Sequence, residues 1–411
     1  MSNLELLEQR KKRVDDVIAL RTPDRVPIGG MFGFFPAKNK GLTLEQAMYD
    51  EQEMIRAWVD TTLEYEPDMY DNPYATRFLG PVLDALGYKA LRWPGHGVGP
   101  MSTYQYVEGE YMRADEYESF LADPTDHVLR KHWPRTFDAL KGFEKLPPLH
   151  ILSYYLGFFD FSCFADDDVV EALTALQKAA VEFKRVVKGG GEYARRMSGF
   201  GFPPNYGAMT QAPFDTLSDF LRGTKGAMLD LFRHPDQVLE ACEKLLPVML
   251  RMGLKAKDRG ATRVFIPIHK GLDGFMSQDQ FRTFFWPTLR ELIWGLVDAG
   301  LTPAVLWEGN CTSRLEIIGD VPRGTCVYHF EATDIFKAKE VIGDVVCLRG
   351  NVPLSILWAG SPDDVKDYCK RLIDAVGKNG GFILDSASPM DDARPENVRA
   401  MMDFTRQYGV Y

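Results

Sequence analysis

Five stretches in the last third of the chain decide the fold: Val264-Phe265-Ile266-Pro267-Ile268-His269, Pro303-Ala304-Val305-Leu306-Trp307-Glu308, Cys326-Val327-Tyr328-His329, Val345-Val346-Cys347-Leu348-Arg349 and Gly381-Phe382-Ile383-Leu384-Asp385. Each is a short apolar run that ends in a side chain able to carry charge, and each is followed by a helix or a helix-capping signal. Strands that are apolar throughout and alternate with helices belong to a parallel sheet covered on both faces. A (β/α) barrel keeps its functional groups at the C-terminal ends of such strands. The pattern therefore predicts an α/β fold, a (β/α)8 TIM-type barrel, and a site at one end of it.

The rest of the chain fits one barrel with additions. At 411 residues it is within the size of a barrel carrying insertions. Residues 4–20 read as an amphipathic helix, and Arg25-Val26-Pro27-Ile28-Gly29-Gly30-Met31 as a first strand running into Phe32-Gly33-Phe34-Phe35-Pro36. Thr43 and Gln46 form a capping box for a helix reaching about residue 65. A short strand is expected around Asp68-Met69-Tyr70-Asp71. Residues 88–150 are the least regular part and are expected to cap the barrel with hairpins and short helices. Asp166-Asp167-Asp168 caps a helix over 169–188, which Gly189-Gly190-Gly191 is expected to break. The glycine-rich stretch 197–213 has no nucleotide-binding spacing and reads as pocket-lining strand and loop. Ser277 with Gln280 opens a helix over 278–299; Ser361 and Pro362 open another over 362–377. We expect a single domain over 1–411, with 1–25 an N-terminal helical segment and 88–200 an insertion or cap.

Composition narrows the function. Hydrophobic residues make up 45% of the chain and the formal net charge is −10. Such an acid balance disfavours nucleic acid and anionic membranes as partners. No apolar run of about 18 residues is present, so no membrane association is expected. The opening residues lack a signal-peptide core, and the six cysteines are scattered without a Cys-x-x-Cys pair. Reduced thiols and a cytoplasmic location follow as expectations.

The strand ends supply the candidate site. His269 precedes Lys270 and Asp273, and is either a site residue or a loop histidine satisfying backbone groups. Glu308 closes an apolar strand beside Trp307, where burial would raise its pKa unless a cation or metal offset it. Arg314 either binds a substrate anion or pairs with Glu308. His329 is a catalytic candidate. Arg349 is either an anion anchor or a structural barrel residue. Asp385 and Ser388 end the last strand. Phe32, Phe34, Phe35, Tyr206 and Trp307 are candidates to line the mouth. No nucleophile elbow is present.

Several motifs resemble the uroporphyrinogen decarboxylase superfamily: Arg21-Thr22-Pro23-Asp24-Arg25-Val26-Pro27, then Gln211-Ala212-Pro213-Phe214-Asp215-Thr216-Leu217-Ser218-Asp219-Phe220-Leu221-Arg222-Gly223, then Arg349-Gly350-Asn351-Val352-Pro353 and Gly380-Gly381-Phe382-Ile383-Leu384, and finally Pro395-Glu396-Asn397-Val398-Arg399-Ala400-Met401. The resemblance is strongest from residue 205 onward and implies a distorted (β/α)8 barrel. Its decarboxylase branch holds a tetrapyrrole polycarboxylate with an Arg-Gln-Ala-Gly-Arg loop after the first strand. Here that loop is Gly29-Gly30-Met31-Phe32-Gly33-Phe34-Phe35, which offers no guanidinium to a carboxylate.

The second branch is the corrinoid-linked methyltransferases. Members acting on coenzyme M use zinc held by His-x-Cys and a later Cys; the matching positions here look like Leu306, Glu308 and Ser388, so that ligand set is altered. His269 with Glu308 is the substitute metal pair to test, zinc being the metal such ligands suit. The resemblance thus implies a methyltransferase of a corrinoid-dependent demethylation system, moving methyl from a small methoxylated, aromatic substrate to a corrinoid protein, with Glu308, His269 and His329 as catalytic candidates. Phe34, Phe35, Tyr206, Trp307, Arg314, Arg349, Asp385 and Ser388 are the substrate-binding candidates. The alternatives are a carboxy-lyase acting on a non-porphyrin acid and a non-catalytic tetrapyrrole or corrinoid binder. Expected partners are the methyl donor, the corrinoid protein and a second copy of the chain in a homodimer.

Overall fold

Six parallel strands run in chain order in one sheet: β4 (Ala208–Met209), β5 (Arg263–Ile268), β6 (Thr302–Trp307), β7 (Val327–Phe330), β8 (Cys347–Val352) and β9 (Phe382–Ser386). The earlier β1 (Leu91–Pro94), β2 (Gly97–Val98) and β3 (Gln105–Tyr106) form a separate small sheet. The computed structural model describes residues 2–75 and 77–411. Two extended segments close the six strands into a ring. Ile28 bridges Leu384 in parallel, Asp68 N–H donates to Ile28 O at 2.9 Å, and Tyr70 bridges Pro204. Gly207 N–H then donates to Arg263 O at 2.9 Å, joining the last segment to β5. Eight segments thus complete the barrel expected from the apolar runs.

Strand alternation sorts the side chains into an outer and an inner set. Val305, Trp307, Tyr328, Phe330, Leu348 and Leu384 face outward and pack with the surrounding helices in the main core. The residues between them face in. The lowest inner layer is Met69, Ala304, Val327, Cys347 and Ile383, plugged from below by Val14, Val17 and Ile18 of helix Asn3–Ile18. Burying each such aliphatic side chain is worth about 1.5–3 kcal/mol. Buried ion pairs fix the plug: Arg13 pairs with Asp24 and Asp68, and Arg25 grips Asp68 with Nη1 and Nη2 at 2.8 Å each. The Asp24-Arg25 stretch near the N-terminus is therefore a barrel-closing clasp.

The region before β4 departs from expectation. Helix Asp167–Gly199 runs straight through Gly189-Gly190-Gly191 for 33 residues. These glycines do not break the helix; a Cβ on Gly189 would come within 2.4 Å of the Tyr74 ring. They allow a close approach to the loop after the second barrel segment. The helix expected over 278–299 is interrupted: a π-type turn, Phe281–Phe285, precedes helix Trp286–Asp298. None of the described helices is long and apolar enough to cross a membrane.

Candidate active site at the barrel mouth

The inner set continues upward on the same strands. Two residues above the plug come His329, Arg349 and Asp385; two further come His269, Glu308 and Glu331, just past the ends of β5, β6 and β7. The middle layer is closed and the top layer is open.

In the middle layer Arg349 donates through Nε and Nη2 to Asp385 Oδ2 at 2.8 and 2.6 Å, and through Nη1 to Asn205 and the Tyr206 hydroxyl at 2.9 Å each. Arg349 and Asp385 are buried. Burial works against the guanidinium charge, but Tyr206 and Asp385 outweigh it and hold its pKa above the ordinary value. Arg349 is thus fully engaged inside the protein, the structural alternative rather than a free anion anchor. His329 donates Nε2–H to Ser386 O at 2.7 Å and leaves Nδ1 buried without a partner. Burial, reinforced by the Arg349 charge, lowers its pKa to about 4. It is a neutral imidazole beneath the mouth.

The top layer is built on His269. Asp215, wholly buried in the short helix Pro213–Thr216 after β4, accepts the backbone N–H groups of His269 and Lys270 at 2.9 and 2.8 Å and so fixes the strand end. Burial pushes the Asp215 carboxyl up to about 7, opposed by His269. One helical turn on, Asp219 accepts from His269 Nδ1 at 2.5 Å, from Gln211 Nε2 at 2.8 Å and pairs with Lys270 at 3.2 Å. On the ring's other side, His269 Nε2 faces Glu308 Oε2 at 3.4 Å. Burial works against the imidazolium, yet the Asp219 hydrogen bond and the Asp215 and Glu308 charges prevail and raise His269 to about 9. Glu308 is raised by desolvation and by Glu331, against the pull of His269. The two side chains remain 32% and 40% exposed, so a small molecule can reach them. Ser388 donates to Glu331 at 3.0 Å on the adjoining rim.

Other expected site residues lie elsewhere. Phe34 and Phe35 are each 1% exposed and Trp307 is wholly buried. Phe35 packs with Phe32 and Tyr65; Trp307 meets Tyr328 outside the strand ring. They are core residues and do not line the mouth. Trp307 and Glu308 are consecutive, so only one of them can face inward. Arg314 is buried as well, donating to the carbonyls of Gly271 and Met276 and pairing with Asp273 at 3.2 Å rather than with Glu308. Tyr206 is half-buried against Phe265 and tied to Arg349.

Asp219, Asp215, Glu331 and Asp71 were not among the expected site residues. Asp71 ends the second barrel segment, accepts from Asn205 at 2.8 Å, and is raised to about 6, chiefly by burial. Alternation points to two of them: Glu331 and Asp71 stand two residues beyond inward-facing His329 and Met69. Asp215 and Asp219 give no such signal, because they sit on a loop and helix that only the fold brings beneath His269.

As a metal centre the mouth is one donor short. His269 Nε2 and Glu308 are two ligands, whereas catalytic zinc takes three from the protein. Among the described residues no group of three or more His, Cys, Asp or Glu side chains is placed to hold a metal. Cys311 is buried against Thr333, and Ser388 supplies only a hydroxyl.

Residues 205–408 match the family model for uroporphyrinogen decarboxylase (URO-D). This stretch is a divergent member of the uroporphyrinogen decarboxylase superfamily. It is 27% identical over 188 residues to uroporphyrinogen decarboxylase of Saccharophagus degradans, covering 43% of this chain and 51% of that protein. It is 28% identical over 140 residues to that of Aromatoleum aromaticum, 33% of this chain and 38% of the relative. The matched stretch thus spans about half the length of the first of these relatives. A methyltransferase from Methanosarcina mazei has the same fold, with a TM-score of 0.65 over 97% of this chain and 98% of that one, at 16% identity. The matched residues carry β4 to β9 and the whole His269 cluster. Asp71 and the first barrel segment lie outside them.

Proposed function

We propose that the barrel mouth transfers a methyl group from a small methoxylated molecule to a corrinoid on a separate protein. The observation that carries this reading is the solvent-accessible His269–Glu308 pair, backed by Asp219 on the other ring nitrogen. A corrinoid in its Co(I) state, carried by the docking partner, would supply the nucleophile and accept the methyl group, and the oxygen would leave with the electrons of the broken methyl C–O bond. An alkoxide or phenolate is a poor leaving group unless it is protonated. We assign the supply of that proton to His269 and Glu308; Asp219 holds the imidazole in orientation, and Asp215 holds the backbone beneath it. No step is routed through a metal held by this chain, because its donor set does not complete one.

A porphyrinogen substrate fits poorly, since the loop 29–35 presents no cation. A second reading, proton transfer in a carboxy-lyase, draws on Asp71, whose carboxyl is raised to about 6. The test is to incubate the protein with a Co(I) corrinoid protein and a panel of methoxyarenes, following methylcobalt formation spectroscopically. In parallel it is incubated with uroporphyrinogen. Methylcobalt formation with no decarboxylated product is expected. Decarboxylation at an enzymatic rate with no methyl transfer would reverse the assignment.

A further inference from the structure

Residues 149–165 form an apolar arm, built from the tight turns Leu149–Ser153 and Tyr155–Ala165, that leads into helix Asp167–Gly199. Its end is anchored through Cys163 and Phe164, which pack beside the small core of Leu140, Phe143 and Val169. The other rings pack edge to face on one another, Tyr154 with Tyr155 at 5.3 Å and Phe158 with Phe161 at 5.7 Å between centres. Gly157 keeps the arm compact, since a Cβ there would come within 2.2 Å of the Ile151 carbonyl oxygen. The result is a ridge facing water: Phe159 is 82% exposed, Tyr155 is 66% exposed, and Tyr154, Leu156, Phe158 and Phe161 are exposed with them. At about 150–250 Å² per ring, the five aromatic side chains leave roughly 600 Å² bare. A monomer rarely shows an apolar patch beyond about 300–600 Å².

Further along the same helix lies an apolar groove of about 580 Å³, walled on its far side by Trp133, Phe137 and Leu140. The helix lines it with Leu176, Ala180, Phe183 and Val187, whose spacings of three and four put them on one side. Its rim is basic. Among the described residues Lys184 has no ion pair, and Lys188 has only a 3.9 Å contact with Glu192. The ridge carries the opposite charge: Asp160 stands exposed among its rings with no ion pair among the described residues. Asp166-Asp167-Asp168 follows directly, so the arm is acidic where a surface-binding helix would need lysine or arginine for an anionic bilayer.

We infer that the arm of one copy of this chain seats in the groove of a second copy, and the reverse, making a two-fold dimer. Three features fit that occupant. The chain carries both a convex apolar ridge and a concave apolar groove, so the surface is complementary to itself, as a two-fold interface must be. The charges match, because Asp160 of each copy then meets Lys184 of the other. The area also matches: the ridge with Leu149, Ile151 and the exposed groove side of the helix approaches the roughly 800 Å² that each partner gives to a standard interface. Arm and groove lie roughly 20 Å apart along one helix, so a two-fold axis passing between them, near exposed Leu173, forms both contacts at once. The arm and the groove both precede the residues that match the family model, so the interface belongs to the cap and not to the shared barrel.

Sedimentation equilibrium of the full chain tests this directly. Wild type should sediment as a dimer at micromolar concentration. Tyr155→Asp combined with Phe159→Asp should leave a monomer with an unchanged far-UV circular dichroism spectrum, because both rings are exposed. Asp160→Lys alone and Lys184→Glu alone should each weaken the dimer at least about tenfold, since like charges then meet across the interface. The two changes made together reverse the pair and should restore most of the affinity, which a folding defect would not do. A wild-type monomer, a dimer that survives the loss of both rings, or a combined charge variant no tighter than the single ones would each overturn the interface. So would a monomeric wild type that co-sediments with phosphatidylglycerol vesicles, which would make the arm a membrane contact.

Discussion

His269 and His329 both close apolar parallel strands and both belong to the inner face of the barrel, yet they are held in opposite states. The lower one, His329, is shut in with the Arg349–Asp385 pair and kept neutral, its pKa lowered to about 4. The upper one, His269, meets three carboxylates and is raised to about 9. Both are penalised by burial; what differs is the charge of the neighbours. His329 faces a guanidinium, and His269 faces Asp219, Asp215 and Glu308. One step up the strands thus separates a layer that holds the barrel together from a layer that can move a proton.

The largest expected effect breaks the lower layer. Arg349→Ala leaves Asp385 charged, buried and unpaired, and should cost about 3–5 kcal/mol of folding stability, read from urea unfolding. A loss below about 1 kcal/mol would mean that the layer is hydrated and not structural. Next in size, Asp219→Asn removes the leading support for the His269 proton. The alkaline limb of the methyl-transfer pH profile should then move from near 9 toward the ordinary histidine value. An unmoved limb would place the titrating proton elsewhere.

The two histidines should also leave opposite marks on stability against pH. His269 has a folded pKa above its unfolded one. Its contribution is therefore fully present below about 6.5 and is lost as pH rises through about 9. His329 has a folded pKa below its unfolded one, so the unfolded chain gains a proton that the fold refuses, and stability falls as pH drops from about 6.5 toward 4. Thermal melts of His269→Gln should flatten the alkaline side, and those of His329→Gln the acid side. The same side flattening in both variants would contradict the contrast. The smallest effect is expected at Trp307: Trp307→Phe should lower the melting temperature and leave the KM for the methyl donor unchanged. A rise in KM would return Trp307 to the pocket.

Much of this layering was legible in the chain. The five apolar runs announce a parallel barrel, and their terminal charges mark the inner column. Reading alternation one step further separates Trp307 from Glu308 and adds Glu331 and Asp71. The Phe32 to Phe35 loop misleads because aromatic side chains suit a core as well as a pocket. Gly189-Gly190-Gly191 resembles a helix break, yet packing against Tyr74 favours glycine at Gly189 and Gly190 just as strongly. Asp215 and Asp219 lie within the Gln211 to Gly223 motif, but no local pattern shows that this stretch will lie beneath the end of β5.

The central claim is that the upper layer supplies the proton that frees the leaving oxygen. Glu308→Gln is nearly isosteric and removes both the charge and the titratable proton facing His269. In a methyl-transfer assay with Co(I) corrinoid protein and a methoxyarene donor, the rate constant should fall by roughly 10²–10⁴-fold, with an unchanged melting curve. A variant that transfers methyl at close to the wild-type rate would contradict the account.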